Sequence, residues 1–102
     1  MRTFNQHMSQ AINKGVPANE TRNLTELIAR ESGLNPNSKN PTSTAHGYGQ
    51  FLNGTVRNYA KQYPNLNYNN PADQIVLTYK YAVSRYGSVE KALQYWDAHK
   101  WY

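Results

Sequence analysis

An all-α fold of about five helices, with little or no β-sheet, is what this sequence predicts. Three observations carry the prediction. Apolar residues recur at helical spacing along the chain, cap and stop residues bracket the stretches where they do, and no run alternates with period two over a useful length.

Residues 3–14 place Phe4, Met8, Ala11 and Ile12 on one helical face, and Gly15 with Pro17 makes a stop. Asn19 is the expected cap of a second helix over about 20–31, with Leu24, Leu27 and Ile28 as its apolar stripe. Residues 32–50 read as a long loop, rich in Gly, Asn and Pro. Asn53-Gly54 has no alternating flanks, so it reads as a helix start rather than a hairpin. Val56, Tyr59, Ala60 and Tyr63 mark that third helix, closed by Pro64. In NYNNPADQI, Asn70 is the expected cap of a fourth helix, Pro71 its first residue and Asp73 its capping-box partner. That helix carries Ile75, Val76, Tyr79, Ala82, Val83 and Tyr86 and ends at Gly87. Ser88 then caps a last helix running through Leu93 and Trp96.

The 102 residues amount to one domain, 1–102, with no internal repeat or linker, and a chain of this size should bury about two-thirds of its unfolded surface. Apolar content is only 38%, but nine Tyr, two Trp and two Phe add bulky core material. No stretch approaches the roughly 20 apolar residues of a membrane span. MRTFNQHMSQ lacks the apolar stretch of a secretory signal. A chain like this that works outside a cell is expected to be cut from a longer protein or to arrive by another route.

The absence of Cys excludes disulfides and thiolate chemistry, and His7, His46 and His99 lack metal-ligand spacing. No metal or other cofactor is expected. The net charge of +5 favours an anionic partner such as nucleic acid, teichoic acid or an acidic membrane. The 11 Lys and Arg are spread with no cluster of five, which argues against a nucleic-acid arm, and nothing supplies base-reading residues.

Glu31 is the residue that carries chemistry. An acid is the wrong sign for a helix C-terminus. Its spacing from Leu24, Leu27 and Ile28 nevertheless puts it on their face, pointing at the core or a cleft floor. A half-buried carboxyl has its charged form disfavoured, and a raised pKa lets it hold a proton near neutral pH and deliver it to a leaving group. The plain alternative is an ion pair with a nearby Arg or Lys, or a frayed end in solvent. Glu20 and Glu26 lie off the stripe and read as solvated surface acids. A loop of this length in so small a domain is usually functional or disordered. Gly47-Tyr48-Gly49-Gln50 supplies backbone freedom, an aromatic face and an amide, the parts of a polar, sugar-sized groove.

The stretch ESGLNPNSKNPTSTAHGYGQF resembles the lytic transglycosylase (soluble-lytic-transglycosylase-like) domain of the lysozyme-like superfamily, with its Glu-Ser, Asn-Pro and Gly-x-x-Gln in order. NPADQIVLTYKYAVSRYGSVEKAL, YWDAHKWY and, upstream, AINKGVPANETRNLTELIARESG are similar to forms found in phage tail tape-measure and tail-lysin proteins. The resemblance covers nearly the whole chain. It implies a lysozyme-like helical fold around a groove, peptidoglycan glycan strands as partner, no cofactor, and action on the bacterial wall from outside the cell, in a virion tail.

It further implies that Glu31 is the single catalytic acid and base. Gln50 matches the Gln of Gly-x-x-Gln and would line the groove, bonding sugar or the carboxylate, with an ordinary cap on the third helix as its plain alternative. Tyr81 matches the Tyr of Tyr-x-x-x-Arg-Tyr-Gly, and packing against the second helix is its plain alternative. Ser43 or Asn40 would supply a polar groove contact, and Ser32 would help end its helix. Tyr48, Tyr95 and Trp96 suit a sugar site through flat apolar faces with a polar edge, though each such ring is more often core. A two-carboxylate glycosidase needs a second acid within about 5–9.5 Å. Asp73 and Asp97 are the candidates, each with a local role at hand: capping, and solvation near the chain end. Where family members carry Ala-Tyr-Asn-Ala-Gly, this chain has Tyr95-Trp96-Asp97-Ala98-His99, so Trp96 replaces a groove Tyr and a hydroxyl contact is lost. Gly49 replaces a bulky residue, which is expected to widen the cleft. Competing readings are a goose-type-like muramidase that uses water, a non-catalytic wall-binding module and, last, a nucleic-acid-binding helical domain.

Overall fold

The computed structural model describes residues 2–100; Met1 and the terminal Trp101 and Tyr102 of the quoted YWDAHKWY lie outside the described residues. The chain is all-α. Its helices are α1 (Arg2–Asn13), α2 (Thr21–Ser32), α3 (Asn53–Gln62), α4 (Pro71–Tyr86) and α5 (Val89–His99), with a short 3-10 turn at Ala18–Glu20. Among the described residues there is no strand. The only β-type pairings among those residues are isolated bridges, Lys39 with His46 and His46 with Phe51, inside the loop before α3. No described helix is long and apolar enough to cross a membrane.

The fold is built around α4. Seven consecutive residues, 72–78, are buried, because α1 covers one side of this helix, α5 another, and the long loop a third. α5 packs in turn on α2. The stripes meet in one cluster: Phe4, Met8 and Ala11 from α1, Leu24, Leu27 and Ile28 from α2, Ile75, Val76 and Ala82 from α4, Val89, Ala92 and Leu93 from α5. Each large apolar side chain there contributes about 1.5–3 kcal/mol relative to exposure. A second cluster of Phe51, Tyr68 and Leu77 lies on the other side of α4, and Val56, Tyr59 and Tyr63 attach α3 to it.

The cap residues explain where the helices begin and end. Asn70 accepts from the Ala72 N–H with Pro71 in the first turn, Ser88 accepts from the Lys91 N–H, and Gly33 and Gly87 close α2 and α4 in the left-handed conformation. Three local expectations fail. Asn19 does not cap α2; it sits in the 3-10 turn, where the Thr21 hydroxyl donates to Ala18 O at 2.7 Å. Asp73 is no capping-box partner of Asn70, because its carboxylate is taken by Lys14 at 2.6 Å and by the Asn67 N–H at 2.9 Å. Glu26 is exposed as expected, but Glu20 is half-buried, with one carboxylate oxygen lacking a hydrogen-bond partner.

Candidate functional site

Glu31 sits in the last turn of α2, half-buried below a cleft of about 320 Å³. The helix ends just beyond it, where the Ser32 hydroxyl donates to Ile28 O at 3.0 Å and Gly33 turns the chain. Gly33, not Ser32, ends the helix, and the Ser32 hydroxyl is turned back on its own last turn. Across from Glu31, α5 brings Trp96, whose indole N–H donates to Glu31 Oε1 at 2.6 Å. An adjacent residue on each helix pairs as well, Arg30 Nε with Asp97 Oδ1 at 2.9 Å. Two neighbouring contacts therefore fix the end of α2 against α5.

The cleft is lined by Glu31 with Arg30, Trp96 and Lys100 on one side and by Asn40, Ala45, Gln50, Phe51 and Tyr81 on the other. Glu31 is the only acid among those residues. Burial pushes its pKa up from 4.5 to about 7, and the Trp96 hydrogen bond opposes part of that rise. No ion pair to Glu31 forms among the described residues. The carboxyl is thus poised to give up and retake a proton near neutral pH. Asp97 is held by Arg30 and Asp73 by Lys14, so neither faces Glu31 across the cleft.

Gln50 reaches the cleft, but its amide does not touch Glu31. Its Nε2 donates to Gly47 O at 2.9 Å and to Ser38 O at 3.1 Å, closing the loop on itself. Both amide hydrogens are thereby used, and the side-chain oxygen is what remains to meet a ligand. Its backbone is left-handed, φ 53°, which is uncommon outside glycine and concentrated at functional sites. Tyr81 lines the cleft from α4, its ring 5.0 Å from that of Phe51. Asn40 lines it from the loop, where its side chain also accepts from the Thr42 N–H.

Three predicted contacts lie elsewhere. Tyr48 is fully buried in the main core; its hydroxyl is hydrogen-bonded to His7 at 2.7 Å and its N–H donates to the buried Gln74 side chain at 2.8 Å. Ser43 is exposed and accepts from the Ala45 N–H at 3.2 Å, shaping the loop without lining the cleft. Tyr95 packs on Tyr86 and stacks on His99, with ring centroids 5.0 and 3.9 Å apart. Gly49 does not widen the cleft either. A Cβ there would meet Thr78 Oγ1 at 2.5 Å, so its missing side chain serves contact with α4.

Sequence reasoning missed Arg30, Ala45, Phe51 and Lys100 as lining residues. Phe51 alone carried a signal, as an aromatic directly after the Gly-x-x-Gln. Among the described residues, no group of three or more His, Asp or Glu stands together to hold a metal ion. Compared with protein-family models, curated proteins and solved structures, the chain matches none.

Proposed function

We propose that this chain is a peptidoglycan lytic transglycosylase with a lysozyme-like arrangement of helices. The observation that carries the reading is a single half-buried carboxyl, Glu31, held near a pKa of about 7 as the only acid lining a polar cleft. The sequence resemblance around Glu31 and Gln50 supplies the substrate class. On this reading the protonated Glu31 gives its proton to the oxygen of the β-1,4 bond between N-acetylmuramic acid and N-acetylglucosamine as the C1–O bond breaks. The carboxylate then takes the proton of the muramoyl C6 hydroxyl as that oxygen bonds to C1. A 1,6-anhydro end forms, the acid is regenerated, and no water is consumed. One carboxylate serves both steps, which suits a cleft with no second acid. On the same reading, the resemblance to phage tail proteins favours work at the bacterial wall, from outside the cell.

Mass spectrometry of digested peptidoglycan tests this. Anhydro ends, one water lighter than reducing ends, are the expected product, and Glu31→Gln should abolish their release while wall binding persists. Reducing ends alone would make the chain a muramidase that uses water. Wall binding with no cleavage by the unmodified chain would make it a binding module.

A further inference from the structure

We propose that Trp96 is a positioning residue, whose indole N–H occupies one oxygen of Glu31 and so places the transferable proton on the other. The inference rests on the proposed role of Glu31 and adds a function for Trp96 different from the sugar contact its ring would suggest. An indole N–H is a donor only, so its partner oxygen must accept. The contact is short, 2.6 Å between Trp96 Nε1 and Glu31 Oε1, and half-buried. In the protonated carboxyl the carbonyl oxygen is the better acceptor, which makes Oε1 the carbonyl and Oε2 the hydroxyl. The proton to be delivered is then confined to one atom.

The geometry around this contact holds it in register. Arg30 and Asp97, the sequence neighbours of the two partners, pair at 2.9 Å and pin the same two helix ends. Lys100 lies over the Trp96 ring at 5.5 Å, covering part of a face that a sugar would otherwise use. The other charged and titratable groups around Glu31 are Arg30 on its own helix, Tyr81 from α4, Tyr68 from the segment before α4, and Lys100 at the end of α5. None of them takes the oxygen that Trp96 holds. Once Glu31 has ionised, the same N–H stabilises the carboxylate, so Trp96 keeps the group acidic enough to release its proton despite burial.

Two replacements test this: Trp96→Phe, and benzothienylalanine at position 96, which keeps the bicyclic shape with sulfur in place of N–H. Carbon-detected NMR of labelled Glu side chains reads the Glu31 titration on the free protein. Muropeptide release reads kcat, KM and the pH profile. Both replacements should move the titration and the alkaline limb of activity upward, and lower kcat by roughly 10- to 100-fold at nearly constant KM. An unmoved titration in the benzothienylalanine protein overturns the proposal. So does a higher KM with kcat and pH profile unchanged, the signature of a sugar platform. Because the titration needs no substrate, it decides the role of Trp96 even if the chain cuts no peptidoglycan.

Discussion

An ionised Glu31 is unfavourable for this fold, and that gives stability a pH dependence of known sign. Its pKa is near 4.5 when unfolded and about 7 when folded. Below the lower value both states hold the proton and nothing is lost. Between the two the unfolded state binds fewer protons, so stability falls as pH rises, and above the upper value the penalty is complete. At about 1.36 kcal/mol per pKa unit, discounted because the side chain is only half-buried, the penalty comes to about 1–2 kcal/mol. Glu31→Gln should therefore match the unmodified chain in thermal unfolding near pH 4 and exceed it by several degrees near pH 8.5. A Gln variant less stable at alkaline pH would show that burial does not govern this group. The same titration sets the catalytic profile: a proton donor is spent as pH rises through about 7, so activity should decline there. Helical spacing was enough to find Glu31, because Leu24, Leu27 and Ile28 fix the face it shares. The identity of its partner was not legible, since the Trp96 contact joins residues 65 apart.

The loop between α2 and α3 is held on α4 by what its glycines lack. A Cβ on Gly49 would lie 2.5 Å from Thr78 Oγ1, and one on Gly47, at φ 78°, would lie 2.8 Å from Gln74 Oε1. Tyr48 between them enters the core, while Gln50 after them faces the cleft. Gly49→Ala should cost about 1–3 kcal/mol in denaturant unfolding. In a Thr78→Ala background the added cost should shrink, because the closest obstructing atom is gone. Equal costs in both backgrounds would place the strain elsewhere. This close approach explains an error in reading the sequence. Gly-Tyr-Gly-Gln suggested backbone freedom and an aromatic face lining a sugar-sized groove, whereas glycines pressed on a helix turn that aromatic inward. The helices themselves were legible because their caps are local, as at Asn70-Pro71 and Ser88. Asp73 was misread because its partners, Lys14 and Asn67, are brought to it by folding.

Across the whole molecule the cleft divides two parts of unequal cohesion. One is the core of α1, α2, α4 and α5. The other is the stretch between α2 and α4, residues 33–70, which contains no acid, and its helix α3 has no fully buried residue. α3 is attached to α4 mainly through rings: Tyr59 meets Tyr81 at 6.2 Å, and Lys80 lies over Tyr63, just past the end of α3, at 4.4 Å. α4, by contrast, is buried for two full turns and contacts both α1 and α5. Local opening costs less where little apolar surface is covered, so α3 should unfold sub-globally while α4 stays intact. With a difference of a few large buried side chains, about 3 kcal/mol or more, native-state hydrogen exchange should be at least about 100-fold faster for residues 56–62 than for residues 75–82. The same protection in both segments would mean that the ring contacts bind α3 as firmly as a packed core. A glycan strand in the cleft would touch Gln50 on the weaker side and Glu31 and Tyr81 on the stronger. Adding it should therefore slow exchange in the loop and α3 selectively and leave α4, already near the global limit, almost unchanged.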